Sequence, residues 1–516
     1  MPVTLGGVFP AQEPASFGPQ VQADGWAIAA FVAYLIVLVG IGAWSSRFSS
    51  RGIGEFFVGG RRMNRLVVAL SAVASGRSVW LLTGVTGLAF VRGASALWAV
   101  VGYTAVEALL FLFYAPRLRR FAGAHDCITI PDFLAARFDD RRGTLRLAAG
   151  LVILVFMVMY VAAQFVGGGK AMAASFGLAP AQGVLLTAVI VLAYTLLGGF
   201  LAASLTDTIQ AILMLGVLLV VPLVAVAGAG GPAAAWQGLV ALQPAGSGGF
   251  LDPLAIGAGA LIGFVGIGLG SPGNPHILVR YISIEDPAQL RWVAVVGTAW
   301  NALMAAGAIV VGLLGRLYFA TVDAVPLADA ENLFPALSSQ LLPPVAFGVV
   351  VAAIFAAIMS SADSQLLVAA STLVRDIYQK IMGGGRELTP RQLVGISRAV
   401  VTALVAVALV LGWSAEGLVL WLVLVAWAGL GAALGPTTVL ALFWRRTTHA
   451  GVLAGLLTGA LTTIVWYNTP ALKSHLYELI PAFALSLLAT WIVSLLTEPP
   501  GDAGDAMAVM TGERRS

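Results

Sequence analysis

The chain has 516 residues, 59% hydrophobic and only 10% charged, with a formal net charge of +4. A soluble domain carries about 25% charged residues, so this composition describes an all-α polytopic membrane protein whose first partner is the lipid bilayer. The basic residues fall at the ends of apolar stretches and form no folded patch, which excludes nucleic acid as a partner, and the single cysteine, Cys127, excludes an intramolecular disulfide.

The first residues, MPVTLGGVFPAQEPASFGPQ, place no basic segment ahead of an apolar run. They read as a polar tail (1–24) and not as a cleaved signal peptide. A membrane-crossing helix needs roughly 20 apolar residues. About 13 stretches meet that demand: 25–46, 66–90, 94–116, 147–168, 181–198, 208–228, 252–271, 292–315, 343–371, 394–412, 417–443, 450–467 and 477–497.

Two of these stretches are interrupted. The second holds "ASGRS" (74–78), with Arg77 near the middle of an otherwise apolar run. An arginine at the bilayer centre costs from about 3 to more than 10 kcal/mol. The seventh runs into "GFVGIGLGSPGNPH" (263–276), with five glycines and two prolines. Five spans separate the two, so they face the membrane in opposite senses. Interrupted helices at matching positions of two halves mark an inverted-repeat transporter; the alternative is that the glycines only permit close packing.

Lysine and arginine bias sets the orientation. With the N-terminus outside, the cytoplasmic segments 47–65, 117–146, 272–291, 372–398, the turn at Arg445–Arg446 and the tail hold 23 of the 28 basic residues. Arg92, Lys170, Arg316 and Lys473 fall outside. An inner-membrane protein with its C-terminus in the cytoplasm is therefore expected.

Several stretches in collinear order now carry a resemblance. They are "EFFVGGRRMNRLVVALSAVAS" (55–75), "TIPDFLAARF" (129–138), "GGFLAASLTDTIQA" (198–211), "NPHILVRY" (274–281), "AAIMSSADSQLLVAAS" (356–371), "VRDIY" (374–378) and "AWAGLGAALGP" (426–436). On these the chain resembles the solute:sodium symporters, most of all the bacterial sodium/proline members. The resemblance implies a five-plus-five inverted-repeat (LeuT-like) core. The first repeat is then 66–228 and the second 252–443, with an extra helix (25–46) before them, two helices (450–497) after them and a tail (498–516). It also implies a cation bound at the first broken helix, a solute at midplane, and no cofactor beyond Na⁺ as coupling ion, with H⁺ as the alternative.

The residues themselves agree about the cation. Ala357, Ser360 and Ser361 share one helical face at i, i+3, i+4, and their carbonyl and hydroxyl oxygens are hard ligands suited to Na⁺. The competing reading is that both serines back-bond to their own helix. By resemblance, backbone carbonyls of Ala74 and Arg77 complete the site. The departure lies at Gly76-Arg77, where the sodium/proline members have Asp-Met and the aspartate matters for sodium dependence. Arg77 has four possible fates: an intramembrane ion pair with Glu107, an acid those members also lack; a contact to a solute carboxylate; replacement of the ion as a built-in cation; or snorkelling to an interface.

Asp207 and Asp363 are candidates for a second cation or coupling site, with a helix cap as the alternative for Asp207. Tyr160 and Gln164 share a face at i, i+4 and, with Ser75 and Trp80, are expected at the solute. Ile267 and Ser271 stand where the resemblance puts solute-facing aromatics, and their loss weakens the case for proline itself. His276 reads as structural or gating, and no His/Cys cluster resembles a metal site. The expected function is import of a small organic solute, an amino acid or similar, with Na⁺. The alternatives are an H⁺-linked or Na⁺-independent transporter in which Arg77 stands in for the ion, or a membrane sensor, for which the tail after Leu496 is too short to hold a signalling module. No nucleophile–base pair or cofactor loop supports an enzyme.

Overall fold

The computed structural model describes residues 23–49, 53–242, 249–325, 328–382, 389–413, 419–501 and 503–512. Most of the polar N-terminal tail lies outside the described residues, as do Arg51, Arg386, Arg514 and Arg515 of the charge count. Among the described residues the regular structure is helical, with one isolated bridge between Met63 and Ile284.

Ten helical stretches are long and apolar enough to cross a membrane, and Pro180–Leu196 and Ala258–Gly273 are shorter apolar helices. One of the ten, Arg65–Ala124, is 60 residues long, about 90 Å at 1.5 Å per residue and so far longer than a bilayer core. It turns back at Gly93, which has φ 69° and lies so close to the Phe250 carbonyl that no Cβ fits. On one side of that turn lie α2 (Arg65–Val79) and α3 (Thr86–Arg92); on the other lie α4 (Leu97–Leu109) and α5 (Ala115–Ala124), with α1 (Gly25–Ser49) ahead of them all. The Asn64 side chain accepts the Val67 amide at 2.9 Å and starts α2 as an N-cap.

Next come α6 (Ile130–Arg137), α7 (Thr144–Phe176) and α8 (Pro180–Gly228). The 49-residue α8 is broken at Gly199 (φ 59°, ψ −163°), so its second limb begins there and not at residue 208. That corrects the reading of Asp207 as the start of a span or a cap: it lies two turns into the limb.

The second interrupted helix is also longer than its apolar stretch. α9 (Ala258–Gly266) leads into a tight 3-10 turn over Ile267–Gly273, Asn274 is extended (φ −97°, ψ 98°), and α10 (Pro275–Ser283) follows. Arg280, expected in a cytoplasmic loop, is thereby inside the protein and buried. The glycines serve packing as well as the break, since a Cβ on Gly270 would collide with the Trp427 indole.

The remaining long helices are α11 (Leu290–Tyr318), α12 (Pro344–Ser371), α13 (Pro390–Trp413), α14 (Val419–Phe443), α15 (His449–Tyr467) and α16 (Leu479–Leu496). Every residue of α12 from Val350 to Ser371 is buried. It is the central post, packed against α1, α2, α7 and α8, and a helix apolar all round is expected at such a place. The tail, expected to be plain, forms α17 (Ala503–Thr511), which docks on α5 with Arg120 bonded to the Met510 and Thr511 carbonyls at 3.1 Å.

Candidate functional site

The chemistry gathers where α2 breaks against α12. At Ser78 the backbone leaves the helix (φ 47°, ψ −174°). Side chains meet the freed amides: Val79 N–H donates to Gln164 Oε1 at 3.4 Å and Trp80 N–H to Ser78 Oγ at 3.1 Å. Hydroxyls from other helices meet the carbonyls of the preceding turn. Ser360 Oγ lies 3.2 Å from Ala74 O and 3.2 Å from Ala357 O, Ser361 Oγ donates to Ser75 O at 2.8 Å, and Tyr103 donates to Gly76 O at 3.0 Å.

Three of the expected ligand oxygens, on Ala74, Ala357 and Ser360, therefore converge. Ser361 is engaged one residue along the break, and the Arg77 carbonyl accepts the Trp80 amide. The serines do not merely back-bond to α12, because both reach across to α2.

Arg77 is 1% exposed, so it does not snorkel. Its Nη2 pairs with Glu107 Oε2, and its guanidinium lies 3.4 Å from the centre of the Tyr103 ring. Glu107 also accepts Asn301 Nδ2 at 2.9 Å and the Tyr103 hydroxyl at 3.3 Å. Tyr103 and Glu107 are i, i+4 on α4 and so present one face to the break. Gly76 permits the arrangement, since a Cβ there would lie 2.7 Å from the Tyr103 hydroxyl.

The residues expected at the solute surround the same break. Tyr160 meets His276 edge to face, with ring centroids 5.8 Å apart, and its hydroxyl meets Ser78. Trp80, Tyr103 and Trp427 form a row with centroid spacings of 6.1 and 5.4 Å, and Trp427 Nε1 donates to Ile267 O at 2.8 Å. The row thus links Trp80 to the second break, where Ile267 and Ser271 are buried. Ser75 Oγ, Trp80 Nε1, Gln164 Nε2 and Ser271 Oγ are all buried with no hydrogen-bond partner among the described residues. Tyr103 and Trp427 were missed in the sequence; aromatic residues on apolar helices carry no mark that separates them from core.

Asp207 meets Arg280. Arg280 Nη2 lies 2.7 Å from Asp207 Oδ2 and 2.5 Å from Ser364 Oγ, Nε lies 2.7 Å from Ser71 Oγ, and Nη1 bonds the His276 carbonyl. Ser364 Oγ in turn donates to Asp363 Oδ1 at 2.9 Å. One arginine therefore joins Asp207 directly and Asp363 through Ser364, and ties α10 to α2 and α12. Asp207 Oδ1 is buried and meets no hydrogen-bond partner among the described residues.

Two further ionic clusters, neither singled out from the sequence, flank the site. Towards the Lys170 end, Lys170 Nζ lies 2.8 Å from both Asp329 and Glu331, and Glu331 accepts the amides of Val419 and Leu420 at 3.1 and 2.8 Å. Burial pushes the Glu331 carboxyl up, and Lys170 offsets only part of that. At the opposite end Arg146 joins Asp132 and Asp376, each at 2.5 Å, and Arg375 approaches Asp132 at 3.4 Å. This second cluster ties the extension of α12 to α6 and α7. Cys127 beside it has its thiol pushed up to about 12, chiefly by burial.

Among known proteins, the model of the sodium:solute symporter family matches residues 56–459. The high-affinity proline transporter of Bacillus subtilis is 40% identical over 87% of this chain and 94% of its own length. The osmoregulated proline transporter of the same organism is 38% identical over 91% and 94%. The sodium/proline symporter of Staphylococcus aureus is 37% identical over 93% and 95%. A Na⁺-coupled sialic acid symporter in a substrate-bound outward-open state superposes with a TM-score of 0.76, at 19% identity, over 92% of this chain and 99% of the other. A nucleobase-cation-symport-1 family transporter in a closed conformation gives 0.51 at 15% identity, over 89% and 99%. These likenesses show the five-plus-five inverted-repeat fold. With a family model over most of its length and relatives that are transporters by name, the chain belongs to the sodium:solute symporter family.

Proposed function

We propose that the protein is a Na⁺-coupled symporter that imports a small organic solute of the amino-acid class, proline or a close analogue first among them. The carrying observation is the set of partnerless buried polar atoms on Ser75, Trp80, Gln164 and Ser271, gathered at the two breaks beside the oxygens of Ala74, Ala357 and Ser360. A buried donor or acceptor left without a partner costs about 1–3 kcal/mol, and a polar solute supplies the missing partners. Na⁺ is the ion at the converging oxygens. The Arg77 guanidinium is turned to Glu107, which speaks against its replacing the ion and against H⁺ as sole coupling ion. Asp207 and Asp363, bridged by Arg280, couple that site to the first limb of the break or hold a second cation. Both ionic clusters are formed, and in this reading they act as latches that transport opens one at a time. The N-terminus faces outside and the C-terminus the cytoplasm, in the bacterial inner membrane.

The test is uptake into proteoliposomes, with labelled L-proline at the head of a solute panel and Na⁺ and H⁺ gradients imposed separately. Inward Na⁺ is expected to drive accumulation. Tyr160→Ala is expected to raise the half-saturating solute concentration by about tenfold, the equivalent of 1.4 kcal/mol. Accumulation driven by H⁺ with no Na⁺ present overturns the choice of ion.

A further inference from the structure

Arg77 has donors left over. A guanidinium carries five N–H groups. Its Nη2 is held by Glu107, while Nε and Nη1 are buried and meet no acceptor among the described residues. The unused side is not against lipid. The planar group lies on the Tyr103 ring, which stands between Trp80 and Trp427, and Tyr160 is close enough to act on its charge. Glu107 is itself fixed by Asn301 and Tyr103. The guanidinium is thus clamped on one edge and stacked on one face, with its remaining N–H groups among the residues proposed to bind the solute.

We propose that Arg77 is the receptor for the carboxylate of the solute, with Glu107, Asn301 and Tyr103 as its positioning residues. A planar cation with fixed donors is the side chain best matched to a carboxylate, and a preformed clamp lowers the ordering cost of binding. Glu107 keeps the empty site neutral, so an incoming carboxylate meets a held donor and not a loose charge. The assignment rests on the amino-acid reading of the proposed function and names the residue that tells an acid from its uncharged analogue.

The probes are L-proline and L-prolinamide, which differ in whether the carboxyl end is charged. Affinities are measured on the purified full chain in Na⁺, by binding of labelled proline and by competition with prolinamide. Wild type is expected to prefer the acid at least tenfold. In Arg77→Met with Glu107→Gln, a charge-neutral exchange, the preference should fall to within about twofold, because proline affinity drops to the level of prolinamide while prolinamide affinity is kept. Arg77→Lys keeps the charge opposite Glu107 but loses the planar donor set, and should reduce the preference by about three- to tenfold. A preference kept intact in either folded variant overturns the role of Arg77 and leaves the proposed function standing. Wild type binding neither probe overturns the amino-acid reading, and this assignment with it.

Discussion

Replacing Glu107 by glutamine removes one charge and almost nothing else. In the structure Glu107 Oε2 accepts from Arg77 and from Asn301 Nδ2, and Oε1 receives the Tyr103 hydroxyl, which also bonds Gly76 O. A glutamine oxygen in the place of Oε2 keeps the first two bonds. Its amide nitrogen then donates to Tyr103, whose own proton goes wholly to Gly76 O. No hydrogen bond is lost, so the change isolates the electrostatics. Two unit charges about 4 Å apart in a medium of effective dielectric near 20 attract by about 4 kcal/mol, and breaking a buried pair from one side costs about 3–5 kcal/mol. The partner left behind is a guanidinium only 1% exposed.

Glu107→Gln is therefore expected to lower the thermal stability of the purified protein sharply, or to abolish its accumulation in the membrane. Arg77→Met with Glu107→Gln removes both charges and should recover most of the loss, leaving a deficit of about 1 kcal/mol for imperfect packing. The assay is the melting midpoint of wild type, of the single variants Glu107→Gln and Arg77→Met and of the double variant in one detergent, read as a double-mutant cycle. If Glu107→Gln melts with wild type, or the double variant is no better than the worse single, the pair does not neutralise Arg77 and the reasoning fails.

Two other outcomes follow from the clusters around the site. Asp363→Asn should give folded protein whose Na⁺-driven uptake falls at least about tenfold, because an intramembrane acid is retained for function; uptake near wild type removes Asp363 from coupling. In a Cys127→Ser background, Lys170→Ala should speed labelling of a cysteine placed at Thr83 by an impermeant maleimide, because Thr83 lines the small cavity of about 10 Å³ beneath Lys170 and Glu331. Burial in the closed state holds the Glu331 carboxyl above its ordinary value of 4.5 despite Lys170, so the closed state binds a proton more tightly than the open one. Lowering the pH on that side towards that value should therefore slow the labelling relative to an always-exposed reference cysteine at the same pH, which corrects for the smaller thiolate fraction in acid, and a relative rate that rises in acid would contradict the latch.

Much of this was legible in the sequence, for identifiable reasons. Span positions follow from runs of apolar residues, and both breaks from glycine, serine and proline inside them. The i, i+3, i+4 spacing put Ser360 and Ser361 on one face, and the cost of a lone midplane arginine pointed to Glu107. What sequence could not supply was register between helices. Arg280 followed an apolar stretch that ends near Gly273, so by hydropathy it belonged to a loop; in fact α10 carries the chain on inside the protein to meet Asp207. A cap stayed open as the alternative for Asp207 because apolar counting cannot see that Gly199 already restarts the helix. Lys170 lies about 160 residues before Asp329 and Glu331, and charges near span ends are too common to be paired by inspection.

The departure at Gly76-Arg77 now has a physical form. An aspartate at position 76, as the resemblance leads one to expect, would have to displace the Tyr103 hydroxyl, 2.7 Å from its Cβ, and Ile277, 3.1 Å away. Glu107 Oε1 lies 3.5 Å from that same Cβ position, about where the carboxylate of an aspartate would reach. The acid has not vanished from the break; it arrives from α4 instead of α2. What differs is Arg77, which neutralises it. Relative to a site with one lone acid, the cation here loses about one unit of negative charge. At about 5 Å and an effective dielectric near 20 that is worth roughly 3 kcal/mol, or about two orders of magnitude in Na⁺ affinity. The attraction that remains comes from the carbonyls of Ala74 and Ala357 and the Ser360 hydroxyl, short-range dipoles that bind only when α2 and α12 are docked. On the proposed function, an ion site of that kind would be weak when the helices part and strong when they close, and would so tie Na⁺ binding to the closure that also encloses the solute.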